Sequence, residues 1–209
     1  MPNSSDEIDF AGPLLGAPTG GVPAPPPHPA HHPAKHPPAH HPAPKAEHPT
    51  LVFPLFQPPL DSYRTGGRYF GAPRTGRLHA ACDLLNPYQA KIRAVADGVV
   101  IQSPYDFYLG TNALEIHHPG VGTIRYGEID PYRTVHLKGG DHVRAGDVIA
   151  HVGRLNGTGA SMLHFELYTG KGTGQLTVFS HQPYERRWDL INPTSFVDRL
   201  IKYHFGHSS

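Results

Sequence analysis

Apolar and polar side chains alternate in several short stretches of the chain, which is the period of a half-buried strand. Ile92-Arg-Ala-Val-Ala carries apolar groups at alternate positions, Asp97-Gly98 is a hairpin-type turn, and Val99-Val-Ile-Gln is its expected partner. Ala113-Leu-Glu-Ile-His-His stops at Pro119-Gly120 and predicts a pairing with Thr123-Ile-Arg-Tyr126. Val143 to Val152 contains a turn at Ala145-Gly146-Asp147, and a glycine-rich loop from Gly153 to Gly159 leads into a strand over Met162 to Tyr168. Helical patterning is confined to Pro193 to Ile201, with Thr194 or Ser195 near the cap and Phe196 and Leu200 on one side. The spacing predicts a mostly β fold: an antiparallel barrel or sandwich with a short C-terminal helix.

The first fifty residues break this pattern. Most of the 24 prolines fall before residue 60. From Gly20 to Pro49 the chain has no aromatic residue and, after Val22, no β-branched one, so it has nothing from which to build a core. Residues 1–50 are expected to be a disordered Pro/His/Ala-rich arm and residues 51–209 one folded domain, long enough for a sizeable core. Seven histidines between His28 and His48 could gather metal ions loosely, although a soluble spacer explains the composition more simply.

Charge removes some classes of function. The net charge is +1 with histidine neutral, and Lys and Arg are scattered, so the basic stripe of a nucleic-acid binder is missing. No run of eighteen apolar residues predicts a membrane span, and the acidic start MPNSSDEIDFAGPLLGAP has neither the basic nor the apolar region of a Sec signal. Cys82 is the single cysteine, which excludes a thiolate metal cage and any disulfide framework.

Candidate chemistry lies in two fragments, Gly76-Arg-Leu-His79-Ala-Ala-Cys-Asp83 and Ser161-Met-Leu-His164-Phe-Glu166. Period-two alternation puts Met162, His164 and Glu166 on one face of their strand and Leu163, Phe165 and Leu167 on the other. His79 and Asp83, four residues apart, can reach one ion, and Glu166 is placed to orient an imidazole ligand. Two imidazoles and a carboxylate with a fourth position open are the donor set of catalytic zinc. Taken separately, either histidine also reads as a hydrogen-bonded, partly buried side chain.

The order of these pieces resembles the lysostaphin-type (LytM-like) zinc endopeptidases of bacterial cell walls. Tyr69-Phe-Gly-Ala-Pro-Arg74 and Gly76 to Leu84 match the family's lead-in and Gly-Arg-x-His-x-x-x-Asp-Leu; Ile92 to Val100, Arg125-Tyr-Gly, Leu163-His-Phe-Glu-Leu and Asp189 to Thr194 follow in family order. The resemblance implies zinc held by His79, Asp83 and His164. The family's two non-ligand histidines are replaced here, one by Met162 and the other by Glu128. A thioether moves no proton, whereas a carboxylate can, so Glu128 becomes the candidate general base. Tyr126, Arg74 and Tyr69 are candidates, by position, for supporting the ligands from behind or for contacting substrate. Two functions follow as expectations: a zinc hydrolase cutting peptide or amide bonds in peptidoglycan, or an inactive zinc-retaining module that binds peptidoglycan or a partner. For the first, the expected setting is an exported antibacterial toxin or lysin. A secretion apparatus such as type VI would carry it to a target periplasm, and an immunity protein would protect the producer.

Overall fold

A seven-stranded antiparallel sheet organises the described residues. In the computed structural model, which describes residues 49–133 and 135–206, the order is β1 (Pro73–Arg74), β2 (Arg77–Leu78), β3 (Cys82–Leu85), β4 (Lys91–Arg93), β5 (Gly98–Asp106), β6 (Asn112–His118), β7 (Gly122–Ile129), β8 (His142–Val143), β9 (Val148–His151), β10 (Met162–Tyr168), β11 (Leu190–Ile191) and α1 (Thr194–Phe205). The arm expected over residues 1–50 lies outside the described residues except for Pro49 and Thr50. In the main sheet the path is β11-β10-β7-β6-β5-β8, with β3 also paired to β10. β4 and β9 form a second antiparallel pair, and β1 and β2 a third. The path is open, so the predicted barrel or sandwich resolves to a sandwich. Among the described residues no helix is long and apolar enough to cross a membrane.

One face of the main sheet is apolar. Leu114 and Ile116 of β6, Ile124 and Tyr126 of β7, and Leu163, Phe165 and Leu167 of β10 share a buried cluster with Ile92, Ile149 and Ala150 of the small pair and Phe196, Val197 and Leu200 of α1. At roughly 25 cal/mol per Å² of apolar surface removed from water, this cluster is the main stabilising term of the fold.

Two expectations are corrected. Ile92–Ala96 does not form a hairpin with Val99–Gln102: β4 pairs with β9, whereas β5 pairs with β6 and β8. Gly98 serves close approach to β6 rather than a turn, since a Cβ there would meet His117 O at 2.7 Å and His118 Nδ1 at 2.6 Å. The C-terminal helix runs four residues past Ile201. Contacts with the segment entering the domain account for the extension: Phe205 packs edge-on against Phe53, and His204 Nε2–H donates to Leu51 O at 3.2 Å. Its N-cap is Pro193 without a capping side chain, and Asn192 Oδ1 instead accepts from the Thr194 N–H.

Candidate active site

Register brings the candidate ligands together. On β10, His164 lies opposite Asp83 of β3 on one side and opposite Gly127 of β7 on the other. Opposed residues in an antiparallel ladder share a face, so Asp83 and His164 project together. His79 is fixed by its backbone, its N–H donating to Ala72 O at 2.9 Å and its carbonyl accepting from Gly71 N–H at 2.8 Å.

Three donor atoms meet there. His79 Nε2 is 3.3 Å from His164 Nδ1 and 3.1 Å from Asp83 Oδ1, and His164 Nδ1 is 2.9 Å from the same oxygen. Zinc bonds of about 2.0–2.1 Å in a tetrahedron set their ligand atoms roughly 3.3 Å apart, close to this triangle. Among the described residues this is the one group of three His, Cys, Asp or Glu side chains spaced to hold a metal ion. Outer hydrogen bonds fix both rings. His79 Nδ1–H donates to the Tyr69 carbonyl at 3.0 Å, and His164 Nε2–H donates to Glu166 Oε1 at 3.0 Å. The inward nitrogens are thereby left as the donor atoms, the arrangement that orients histidine ligands at metal sites.

Charges around the triangle favour a cation. Burial works against charge on His164, yet Asp83 and Glu166 raise its pKa to about 9. A cation bound at the triangle displaces that proton, so affinity for metal rises with pH. Asp83 is held well below the ordinary carboxylate range by His164 and His79 despite its burial. Arg74, whose NH2 donates to Gly67 O at 2.7 Å, stands 3.7 Å from Asp83 Oδ2.

Glu128 enters the site through a backbone irregularity. Strict alternation from Ile124 and Tyr126 would aim it into the apolar cluster. Instead, the β6–β7 register shifts between Asn112 and Ala113, and Glu128 takes a left-handed φ of 60°. A bulge of this kind re-aims one side chain, and Glu128 lines the cleft with His79, Asp83 and His164. Its carboxyl is buried with Oε2 unpartnered, and burial, reinforced by Asp83 and partly offset by His164 and Arg74, pushes its pKa up to about 7. It is not the solvated turn residue its position after a strand suggests.

Gly127 beside it is required. A Cβ there would meet Phe107 Cε1 at 2.9 Å and His164 Cδ2 at 3.1 Å. Gly127→Ala is therefore expected to destabilise the domain by about 1–3 kcal/mol through overpacking and to weaken zinc retention by displacing His164. Urea unfolding and competition with a chromophoric chelator measure the two effects; unchanged values in both would show that the ring has room.

Behind the ligands the polar sheet face holds an ion ladder that the sequence reading did not foresee. Glu115, Arg125 and Glu166 are successive cross-strand partners on β6, β7 and β10. Arg125 NH2 is 3.0 Å from Glu115 Oε1 and its NH1 3.0 Å from Glu166 Oε2. Arg186 Nε–H donates to Glu166 Oε1 at 2.8 Å, and Tyr168 O–H to Oε2 at 2.5 Å. Burial alone would raise the Glu166 pKa, but the two guanidiniums hold it well below the usual range. Alternation gave one signal of this ladder, since Glu115, Arg125 and Glu166 all fall on the face opposite the apolar one. Arg186 gave none, lying far along the chain in a loop.

One tyrosine is corrected and the other supports a ligand. Tyr126 is wholly buried, its hydroxyl between the Val95 N–H and His118 Nε2, each 3.0 Å away, and it cannot touch a substrate. Alternation explains this, because Tyr126 pairs opposite Phe165 on the apolar face. Tyr69 contributes its carbonyl to His79, while its ring is absent from the cleft wall. The aromatic walls come instead from Tyr105, Phe107, Tyr108 and Phe179, around a cleft of about 570 Å³ that also admits Arg74 and Met162.

Comparison with known proteins agrees with this site. Residues 77–177 match peptidase family M23 and contain all three donors, Glu128 and Glu166. The fold is similar to that of the antimicrobial peptidase lysostaphin from Staphylococcus simulans, with 20% identity, a TM-score of 0.54 and coverage of 79% of this chain and 58% of that one. The chain thus spans little more than half of intact lysostaphin. The catalytic domain of lysostaphin alone matches at 19% identity and a TM-score of 0.48, covering 62% of this chain and 89% of that one. A zinc-containing peptidase from Vibrio cholerae matches at 31% identity and a TM-score of 0.42, covering 57% of this chain and 38% of that one. Residues 77–177 thus join a peptidase family M23 match to an antiparallel sandwich and a His-Asp-His donor set, the equipment of a zinc metallopeptidase.

Proposed function

We propose that this chain hydrolyses peptide bonds in bacterial peptidoglycan, with His79, Asp83 and His164 as zinc ligands and Glu128 as general base. The observation that carries the reading is the convergence of three donor atoms, 2.9–3.3 Å apart, beside a buried carboxyl with an unpartnered oxygen. Bound zinc supplies a Lewis acid for the scissile carbonyl and acidifies water. Glu128 accepts a proton at its carboxylate from a water in the cleft as that water's oxygen attacks the carbonyl carbon. The protonated Glu128 then delivers the proton to the leaving amine nitrogen as the C–N bond breaks. Glu166 holds His164 in the tautomer that keeps Nδ1 facing the centre, and the Tyr69 carbonyl does the same for His79. Phe107, packed on His164 with ring centroids 5.3 Å apart, shields that ring from water.

The test is metal-dependent turnover. One zinc per chain is expected by elemental analysis, and chelated protein should release no peptide from purified sacculi until zinc is restored. Zinc-loaded protein that binds sacculi but cuts no bond would establish instead the inactive module that Met162, in place of a histidine, suggests.

Its setting is the target cell's wall, as an exported antibacterial enzyme. A dedicated machine such as type VI would deliver it and an immunity protein would guard the producer. What supports this is the Pro/His/Ala-rich composition of the first fifty residues, which suits loading onto a carrier. Equal toxicity from cytoplasmic and periplasmic expression would refute a cell-wall target.

A further inference from the structure

Arg186 is an unusual residue for a cleft wall. It is only 7% exposed, yet it lines the cleft, in a loop beyond the residues that match family M23. Its Nε–H is taken by Glu166 and its NH1 by the Glu185 carbonyl at 3.2 Å, which leaves NH2 without a protein acceptor among the described residues. Glu166 cannot supply one. A carboxylate has about four acceptor positions, and those of Glu166 are filled by His164 and Arg186 on Oε1 and by Arg125 and Tyr168 on Oε2.

A second guanidinium stands close by. Arg77 lines the same cleft, and the one hydrogen bond of its guanidinium among the described residues, to Leu78 O, is long at 3.4 Å. Its nearest carboxylate oxygen, Glu185 Oε2, is 3.9 Å from Nε, too far for a hydrogen bond. Glu185 links the two, its carboxylate being the one Arg77 approaches and its carbonyl accepting from Arg186. Two guanidiniums thus flank Glu185 in one cleft wall, each short of acceptors for its N–H groups among the described residues.

We infer that Arg77 and Arg186 form a carboxylate-binding wall of the cleft, and that the peptide cleaved carries a free carboxylate close to the scissile bond. The substrate class is an acidic stem peptide rather than a neutral glycine bridge. Two planar forks match a carboxylate with paired charge-assisted hydrogen bonds, which a neutral amide cannot replace. Arg186 is one hydrogen-bonded step behind His164 through Glu166, so the anion would bind beside the reacting carbonyl. The inference rests on the hydrolase reading above but can fail separately from it.

The experiment compares two synthetic cross-linked stem-peptide dimers, one with free carboxylates and one with the same groups amidated, on zinc-loaded full-length protein. Wild type should favour the free acid by roughly 10- to 100-fold, mostly in KM, the range for a hydrogen bond to a charged group. Arg77→Gln should bring the ratio between the two substrates to within about twofold of one, Arg77→Lys should keep part of it, and Glu185→Gln should widen it. Equal cleavage of both dimers by wild type, or a preference that survives Arg77→Gln, overturns the wall. Should wild type cleave neither, the hydrolase reading falls, and calorimetric titration of the two dimers decides the wall: tighter binding of the free acid supports it, and equal or absent binding overturns it.

Discussion

Replacing Glu166 with alanine is expected to destabilise folding by about 3–5 kcal/mol, the range for removing one partner of a buried ion pair. This carboxylate accepts hydrogen bonds from Arg125, Arg186, Tyr168 and His164, and none of its surface reaches solvent. Without it, Arg186 loses its only carboxylate at hydrogen-bond distance among the described residues, whereas Arg125 keeps Glu115, which puts the loss nearer the lower figure. Loss of the His164 partner should also weaken zinc binding by roughly 10- to 100-fold, the usual effect of removing a ligand's outer hydrogen bond. Urea unfolding of the metal-free protein gives the first quantity and competitive zinc titration the second. Glu166→Gln separates them: the amide retains shape and one acceptor oxygen, so zinc binding should fall less than in the alanine variant, while Arg186 still lacks a charged partner. An alanine variant as stable as wild type would mean that water solvates the ladder.

Much of this arrangement was legible because strands have a short, rigid period. Alternation over Met162 to Tyr168 assigned Leu163, Phe165 and Leu167 to the core and His164 and Glu166 to the opposite face, and the structure keeps that division. The β6–β7 hairpin was readable for the same reason, with Pro119-Gly120 marking its turn. Pairing between distant strands was not readable. Nothing local to Ile92 says that its partner is Ala150 rather than the strand after Asp97-Gly98, because the choice depends on which sheet the apolar face must cover. Tyr126 was misassigned by proximity to a Gly-Glu pair, although its own parity placed it in the core. Glu128 shows the converse limit. Parity would have buried it among apolar groups, and only a left-handed residue inside a strand brings it into the cleft, a feature of backbone rather than of pattern. The acids and arginines of the ladder were each visible, but their joint burial depends on the loops that cover that face.

Glu128→Gln is the variant on which the chemistry turns, with an expected fall in kcat of roughly 10²- to 10⁴-fold, the usual contribution of a general base. The amide preserves size and polarity but cannot take a proton, and Met162 offers no substitute. Zinc content should stay at one per chain, because Glu128 makes no hydrogen bond to the three donors. Its titration gives the pH behaviour. In the cleft the carboxyl ionises near pH 7, raised chiefly by burial, so the active carboxylate form accumulates above that value. The acid limb of the rate profile should therefore lie at or below about pH 7, since bound zinc draws it downward, and it should vanish from the residual rate of Glu128→Gln. Stability carries the opposite sign. A carboxyl whose pKa is 4.5 when unfolded and about 7 when folded favours the folded state below pH 4.5 and loses that contribution as pH rises to about 7. At pH 8 the metal-free Glu128→Gln protein should thus be more stable than wild type, while at pH 4 the two should converge. A variant that keeps wild-type kcat while gaining stability at pH 8 would leave Glu128 as a strained residue without a catalytic part, and the proton would have to travel through another group lining the same cleft.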